Sequence, residues 1–249
     1  MNESIAGNAL ITGVSGSFGN AIAKHIISEG YRVLGLDIKE NGDVELAQSD
    51  RFCFDQCDIT RYEDVNKVTE EFFKNHGAFD VVVNNAGVLH NEPLISMKSG
   101  KLVTHSIENW DKMVGICLNA PFYVIACTAR RMVERRKKGV IINISSISAN
   151  GNIGQAAYSA AKAGLNGLTK TLSKELGPFG IRVVAIAPGF FDTASTRSVL
   201  SEDQLSDIRK RVPLKQLGDT SSILNALDFV IANSYFNGKI LELDGGLTI

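Results

Sequence analysis

The sequence has no excess of either charge: 26 Lys and Arg stand against 27 Asp and Glu, a formal net charge of −1 over 249 residues. A general nucleic-acid binder carries a surplus of basic residues, so that partner class is not expected. The opening residues, Met1-Asn2-Glu3-Ser4, lack a basic segment followed by an apolar run, so no secretory leader is expected. The most apolar uncharged stretch, 113–129, falls short of the roughly 18–20 residues that span a bilayer. Asn119, Pro121 and Thr128 also interrupt it. A soluble, cytoplasmic chain without a membrane partner is the expectation. Cys53, Cys57, Cys117 and Cys127 form no Cys-x-x-Cys pair, and the histidines form no His-Glu-x-x-His. No metal site is therefore expected, and the thiols read as buried and free in a reducing compartment. Low hydrophobicity with high charge, the mark of disorder, is missing too: 44% of residues are hydrophobic and 21% charged. No linker, repeat or low-complexity segment divides the chain, and its length suits one large α/β domain.

Apolar, β-rich runs alternate with helical patterns almost from end to end. Strands are expected at 9–12, 32–36, 51–54, 80–83, 140–144, 182–186 and 239–243. Phe18, Ala21, Ile22, His25 and Ile26 recur at helical spacing. Further helices are expected near 62–75, 107–137, 156–175, 201–211 and 220–232, with Gly177-Pro178 ending the fourth. The run Asp80-Val81-Val82-Val83 is almost wholly apolar, as suits a parallel strand covered on both faces. Seven strands alternating with helices predict a doubly wound parallel sheet with helices on both faces. Ligands bind such sheets at the carboxyl ends of the strands, so chemistry-bearing motifs should follow strands.

They do. After the first strand comes Thr12-Gly13-Val14-Ser15-Gly16-Ser17-Phe18-Gly19. Glycines there let the backbone turn tightly and approach a pyrophosphate at a helix N-terminus. Asp37 directly follows the second strand, at the distance expected of an acid that binds ribose hydroxyls. Its charge would repel a 2′-phosphate, and the glycine loop holds no Lys or Arg to offset that, which favours NAD over NADP. Arg32 and Lys39 are nearby cations that weaken the preference if they fold toward the ribose. Further on, Ile144-Ser145-Ser146 ends a strand and Tyr158-Ser159-Ala160-Ala161-Lys162 opens a helix. Tyr158 and Lys162, four apart, share a helix face. An ammonium beside a phenol stabilises the phenolate, so Tyr158 is a candidate acid or base, and a Ser hydroxyl at the strand end a candidate holder of the substrate oxygen.

With these motifs, the chain from about 9 to 246 resembles the short-chain dehydrogenase/reductase family, of compact single-domain type. Gly13, Ser15, Ser17, Phe18 and Gly19 fall in its cofactor loop. Asp58-Ile59 resembles its adenine-binding pair, and Asn84-Asn85-Ala86-Gly87 the motif ending its fourth strand. Ser146, Tyr158 and Lys162 match its catalytic residues, and Pro188-Gly189 with Thr193 the segment that holds the nicotinamide carboxamide. The resemblance implies a Rossmann-like fold, a substrate lid at about 190–213, a homotetramer, and reversible hydride transfer between a nicotinamide and a secondary alcohol or ketone. By it, Tyr158 moves the proton, Ser146 orients the substrate oxygen, and Lys162 binds ribose and assists Tyr158.

Three positions depart from the family pattern. Ser17 stands where the middle glycine is usual, with Gly16 one place earlier. Cys117 aligns with the usual tetrad Asn, keeping a backbone carbonyl for a proton relay but losing the amide. The spacing from Ser146 to Tyr158 is slightly tight, leaving Ser145 as a second candidate. For the substrate, the stretch 151–158 and the segment between Asn91 and Trp110 resemble 3-hydroxyacyl-CoA dehydrogenases, with looser likeness to 3-oxoacyl carrier-protein reductases. A sugar, polyol or steroid alcohol dehydrogenase, or a dinucleotide-binding sensor or assembly protein without turnover, are the alternatives. Phe190, Phe191, Val199 and Leu200 either line an apolar pocket or pack the lid onto the body. Arg130, Arg131, Arg135, Arg136, Lys137 and Lys138 form either a solvated helix end or a contact for an acidic carrier or a CoA phosphate.

Overall fold

A computed structural model describes residues 5–199 and 201–249. Seven strands form one parallel sheet: β1 (Gly7–Thr12), β2 (Tyr31–Asp37), β3 (Phe52–Gln56), β4 (Val81–Asn84), β5 (Gly139–Ile144), β6 (Ile181–Pro188) and β7 (Ile240–Leu243). Their spatial order is β3-β2-β1-β4-β5-β6-β7. The direction of winding reverses between β1 and β4, which opens a crevice at their carboxyl ends.

Alternate strand residues face opposite sides, and each side has its own core. Ala9, Ile11, Val33, Val81, Val83, Val140, Ile142, Val184 and Ile186 pack on one face. Helices α1 (Ser17–Ser28) and, at the far end of the chain, Thr220–Ala232 cover them through Ile22, Ala23, Ile26, Ile223, Leu227 and Val230. Leu10, Leu34, Val82, Ile141 and Val183 pack on the other face. There α2 (Tyr62–His76), α3 (Ile107–Glu134) and α4 (Ala156–Leu176) contribute Val65, Phe72, Val124, Ile125, Met132 and Leu172. Burying one Val, Leu, Ile or Phe side chain stabilises the fold by about 1.5–3 kcal/mol. Two such faces therefore hold the strand ends rigidly in register.

The structure differs from the sequence expectation in four places. Ile95–Lys98 and Lys101–Thr104 form an antiparallel hairpin between β4 and α3, turning at Ser99 and Gly100, both at positive φ (49° and 75°). Short helices occupy Val44–Gln48 and Ala194–Val199. Helix α3 is broken by a π turn at Gly115–Asn119. Finally, the helical run Ile107–Glu134 is 28 residues and, by length and composition, is long and apolar enough to cross a membrane; half of its apolar window is buried. Its buried face (Ala120, Val124, Ile125 and Met132) belongs to the sheet core, which accounts for its hydrophobicity.

Candidate active site

The crevice between β1 and β4 is built from close backbone approaches. Gly13 sits at φ 68°, and a methyl there would lie 2.8 Å from Ala86 Cα. A methyl on Gly19 would lie 2.1 Å from the Gly13 carbonyl oxygen. Those two positions therefore demand glycine. Gly16 does not, since its φ is −82°, and Ser17 starts α1 directly after it. The displaced glycine thus leaves the path of the loop intact. Thr12 stitches the loop to β4: its Oγ1 accepts from the Asn85 and Ala86 amides at 3.1 and 3.0 Å. Asn85 Nδ2 donates to the carbonyls of Thr12 and Gly13 at 3.0 and 3.2 Å. This glycine cradle, opening onto the N-terminus of α1, fits the pyrophosphate of a dinucleotide.

Asp37, at the end of β2, accepts from the amides of Ser15 and Lys39, both at 3.0 Å. It therefore links the glycine loop to the exit of β2. Asp58 caps its own turn through the Thr60 amide and hydroxyl at 3.0 and 2.7 Å, and Ile59 is buried beside it. The Cys57 amide donates to the Asp37 carbonyl at 2.8 Å, joining those two turns. Across the sheet, the Gly189 amide donates to the Leu243 carbonyl at 2.8 Å, just after Pro188. Thr193 is tied locally: its hydroxyl lies 3.0 Å from that of Thr196 and accepts the Thr196 amide.

Lys162 is buried, and its Nζ donates to the carbonyl of Ile144 at 2.7 Å. The same nitrogen lies 5.6 Å from the centre of the Tyr158 ring. A methyl on Gly87 would stand 3.7 Å from Lys162 Nζ and 3.9 Å from Cys117 Sγ, so β4, the π turn and α4 converge there. π turns inside α-helices often mark functional sites, because the added residue re-aims the side chains around it. Cys117 is buried in this one, its thiol 3.6 Å from the Val88 carbonyl and 3.8 Å from Met113 Sδ.

The two serines divide clearly. The Ser145 hydroxyl donates to Asn166 Oδ1 at 2.7 Å, turned onto α4. Ser146 caps the short turn Ile147–Asn150, its Oγ accepting from the Ser148 amide at 3.1 Å and keeping its proton for another partner. Ser146 is thus the serine with a hydroxyl to offer.

Some features were not visible in the sequence reading. Asn84 Nδ2 donates to Asn143 Oδ1 at 2.8 Å, and Asn143 Nδ2 donates to Thr169 Oγ1 at 2.9 Å. This buried relay pins α4, which carries Tyr158 and Lys162, to the ends of β4 and β5. Its signal was an Asn inside an otherwise apolar strand. Next to the site, the Glu92 amide donates to the Gly154 carbonyl at 2.7 Å, and Gln155 Nε2 donates to Asn91 Oδ1 at 2.9 Å. The Glu92 carboxylate accepts from Asn109 and faces His90 and His105, each at 3.6 Å, which holds it below the usual carboxylate range.

Packing bears on two expectations. Phe191 is buried, edge-on to Phe18 at 5.3 Å, so it fastens its segment to the body. Phe190 packs on the cluster of Ile147, Val212 and Leu247; Leu200 lies outside the described residues. The basic run is largely solvated, with Arg130, Arg135, Arg136 and Lys138 exposed. Arg131 is buried and donates to the Cys127 carbonyl and to Asn66, Arg130 pairs with Glu134, and Lys137 pairs with Asp80 at 2.7 Å. Burial raises the thiols of Cys53 and Cys127 and takes Cys57 to about 11, the reverse of what an activated thiolate needs.

Residues 7–204 match the family model described as short chain dehydrogenase. The chain is 36% identical to a 3-oxoacyl-[acyl-carrier-protein] reductase of Chlamydia muridarum, over 96% of both chains. It is 33% identical to human 3-hydroxyacyl-CoA dehydrogenase type-2, over 96% of this chain and 94% of that one. Among solved structures, a 4-hydroxyisoleucine dehydrogenase complexed with NADH superposes with a TM-score of 0.87 at 27% identity, covering 96% of this chain and 97% of that one. The aldohexose dehydrogenase of Thermoplasma acidophilum does so with 0.83 at 26%, covering 96% and 93%. The glycine cradle and the shared fold thus carry one conclusion: this chain belongs to the short-chain dehydrogenase/reductase family and is an oxidoreductase that acts on CH–OH groups with a nicotinamide dinucleotide.

Proposed function

We propose that the protein interconverts a 3-oxoacyl and a 3-hydroxyacyl thioester, with NAD(H) preferred over NADP(H). The observation that carries the chemical part is the placing of Lys162, locked to the Ile144 carbonyl and set 5.6 Å from the Tyr158 ring centre. The two side chains stand together at the carboxyl end of β5, and Tyr158 is assigned as the group that passes the proton. Ser146 directs its free hydroxyl proton to the substrate oxygen that Tyr158 protonates. Bound nicotinamide supplies or accepts the hydride; the chain's share is positioning and electrostatics. Gly13, Ser15, Ser17, Phe18 and Gly19 hold the pyrophosphate side, Asp37 the adenosine ribose, and Asp58 with Ile59 the adenine. Asn85, Ala86 and Gly87, with Tyr158 and Lys162, would hold the nicotinamide ribose, and Pro188, Gly189 and Thr193 the carboxamide. Cys117 contributes through its backbone and its packing.

The thioester is favoured because the curated relatives that align along nearly the whole chain are named for 3-oxoacyl and 3-hydroxyacyl thioesters. NAD is favoured because the acceptor at the end of β2 is a carboxylate. The segment 190–213 is assigned as the substrate lid of a single domain spanning 1–249. The working assembly is a cytoplasmic homotetramer, with neither nucleic acid nor membrane as partner. The test is a substrate panel: NADH with a short 3-oxoacyl thioester, set against NAD with an aldohexose. Faster turnover of the thioester is expected; faster turnover of the sugar overturns the substrate assignment.

A further inference from the structure

The segment that leaves β2 is fastened by a carboxylate outside the motifs above. Asp43 Oδ2 accepts from Asn20 Nδ2 at 3.0 Å and pairs with Lys24 Nζ at 2.9 Å. Asn20 and Lys24 are four apart in α1 and share one of its faces. The other oxygen of Asp43 accepts the Leu46 amide at 2.9 Å, capping Val44–Gln48. Residues 38–42 run between two carboxylates, Asp37, which holds the Ser15 and Lys39 amides, and Asp43. Gln56 Nε2 donates to the Ile38 carbonyl at 2.8 Å and the Ser15 hydroxyl reaches the Lys39 and Glu40 carbonyls at 3.4 and 3.5 Å, so the end nearest Asp43 is the one that Asp43 fastens. Inside this span Asn41 Oδ1 accepts the Asp43 amide at 3.0 Å, while Asn41 Nδ2 is buried with no acceptor among the described residues. A buried unpaired donor costs free energy, so the closed shape of this loop depends on its anchors.

We infer that Asp43 is a positioning residue for dinucleotide selection, and that its bonds to Asn20 and Lys24 hold loop 38–42 so that Asp37 meets the adenosine ribose. This rests on the assignment of Asp37 above. Asp37 selects between a ribose hydroxyl and a phosphate only if its oxygens are fixed in place. On one side they are fixed by the glycine loop; on the other they depend on the path of 38–42. At its far end that path is tied through Asp43 to α1, the helix whose N-terminus would face the pyrophosphate, so Asp43 gives both ends of the adenosine site one reference frame. Loosening this tie weakens NADH, which loses an aimed acceptor. NADPH does not weaken in step, because the repulsion of its phosphate eases.

The test uses Asn20→Ala and Lys24→Met, singly and together, which cut the tie while leaving the Asp43 cap on Leu46. Lys24→Met also removes the Lys24–Glu45 pair at 2.7 Å, so Asn20→Ala alone isolates Asp43. Dissociation constants for NADH and NADPH are read by fluorescence, and hydrogen exchange at 38–42 is followed without cofactor. For the double variant, NADH binding is expected to weaken by up to about fivefold, the scale of a lost exposed ion pair. NADPH binding holds or tightens, and exchange at 38–42 speeds up. A merely structural role would weaken both dinucleotides alike. An unchanged ratio of the two constants, or equal weakening of both, overturns the inference. Asp37→Ala is run alongside. A preference for NADH that survives Asp37→Ala sinks the assignment of Asp37 itself. A preference lost there but kept in the double variant sinks only the role of Asp43.

Discussion

Lys162 Nζ donates to the carbonyl oxygen of Ile144 at 2.7 Å, joining the second turn of α4 to the last residue of β5. Tyr158 is on α4, and Ser146 lies two residues beyond the end of β5 as the cap of the turn Ile147–Asn150. One bond therefore fixes the distance between the proposed proton donor and the proposed oxygen holder. With the Asn84-Asn143-Thr169 relay behind it, the site stands on sheet and helix rather than on loops.

Gly19→Ala places a methyl 2.1 Å from the Gly13 carbonyl oxygen, which must then shift with the whole loop. Overpacking of this kind costs about 1–3 kcal/mol. Dinucleotide binding is expected to weaken about tenfold or more, measured by NADH fluorescence. Gly16→Ala, at a negative φ, should be far milder, and equal effects at both positions would contradict the account of the loop.

Asp37→Ala removes a charged acceptor from the proposed ribose site, worth about 1.5–3 kcal/mol for a hydrogen bond to an ionised group. The preference for NADH over NADPH should narrow by about tenfold or more. Because Asp37 also braces the Ser15 and Lys39 amides, some loss of binding to both dinucleotides accompanies it. An unchanged or widened ratio rejects the role.

Cys117→Asn restores the amide usual in the family at a fully buried position. If only the backbone of the π turn matters, turnover per folded molecule stays within a few-fold of the parent. The larger polar side chain must still be packed, so the melting temperature falls by a few degrees. A large loss of turnover in folded protein would show that the thiol itself, or its contact with Val88, is required.

Acid stability reports on Asp43. The Leu46 amide and the Lys24 ammonium hold its carboxyl down to about 2. That depression contributes stability above the ordinary Asp value of about 3.9, and the contribution is lost as pH falls through about 2. The gap in melting temperature between the parent and Asp43→Asn should be widest at neutral pH and should close between about pH 4 and 2. A gap independent of pH contradicts the ionised pairing.

The seven parallel strands were legible because each is a short apolar run covered on both faces. The hairpin at 95–104 was not. Ile95, Met97 and Leu102 are exposed, so their alternation matches no buried face, and the cue was the Ser99-Gly100 turn. The π turn was hidden because Gly115-Ile116-Cys117-Leu118-Asn119 has the same apolar character as the helix on either side of it. Site residues were legible where chemistry limits the choice, as at Gly13, Gly19, Tyr158 and Lys162. Ser145 and Ser146 were not separable by spacing; only the bond from Ser145 to Asn166 distinguishes them. The ties of Asp43, Glu92 and Asn143 join residues distant in sequence, which periodicity does not reveal.

The central claim is that Tyr158 delivers the proton while this chain passes a hydride between NADH and a 3-oxoacyl thioester. Its most direct test is the loss of NADH absorbance with such a thioester, measured for the parent and for Tyr158→Phe. The account predicts steady oxidation by the parent and a loss of at least about 100-fold in the variant, which still binds NADH. Retained turnover in Tyr158→Phe, or a parent that binds NADH yet oxidises none of it, would contradict the account.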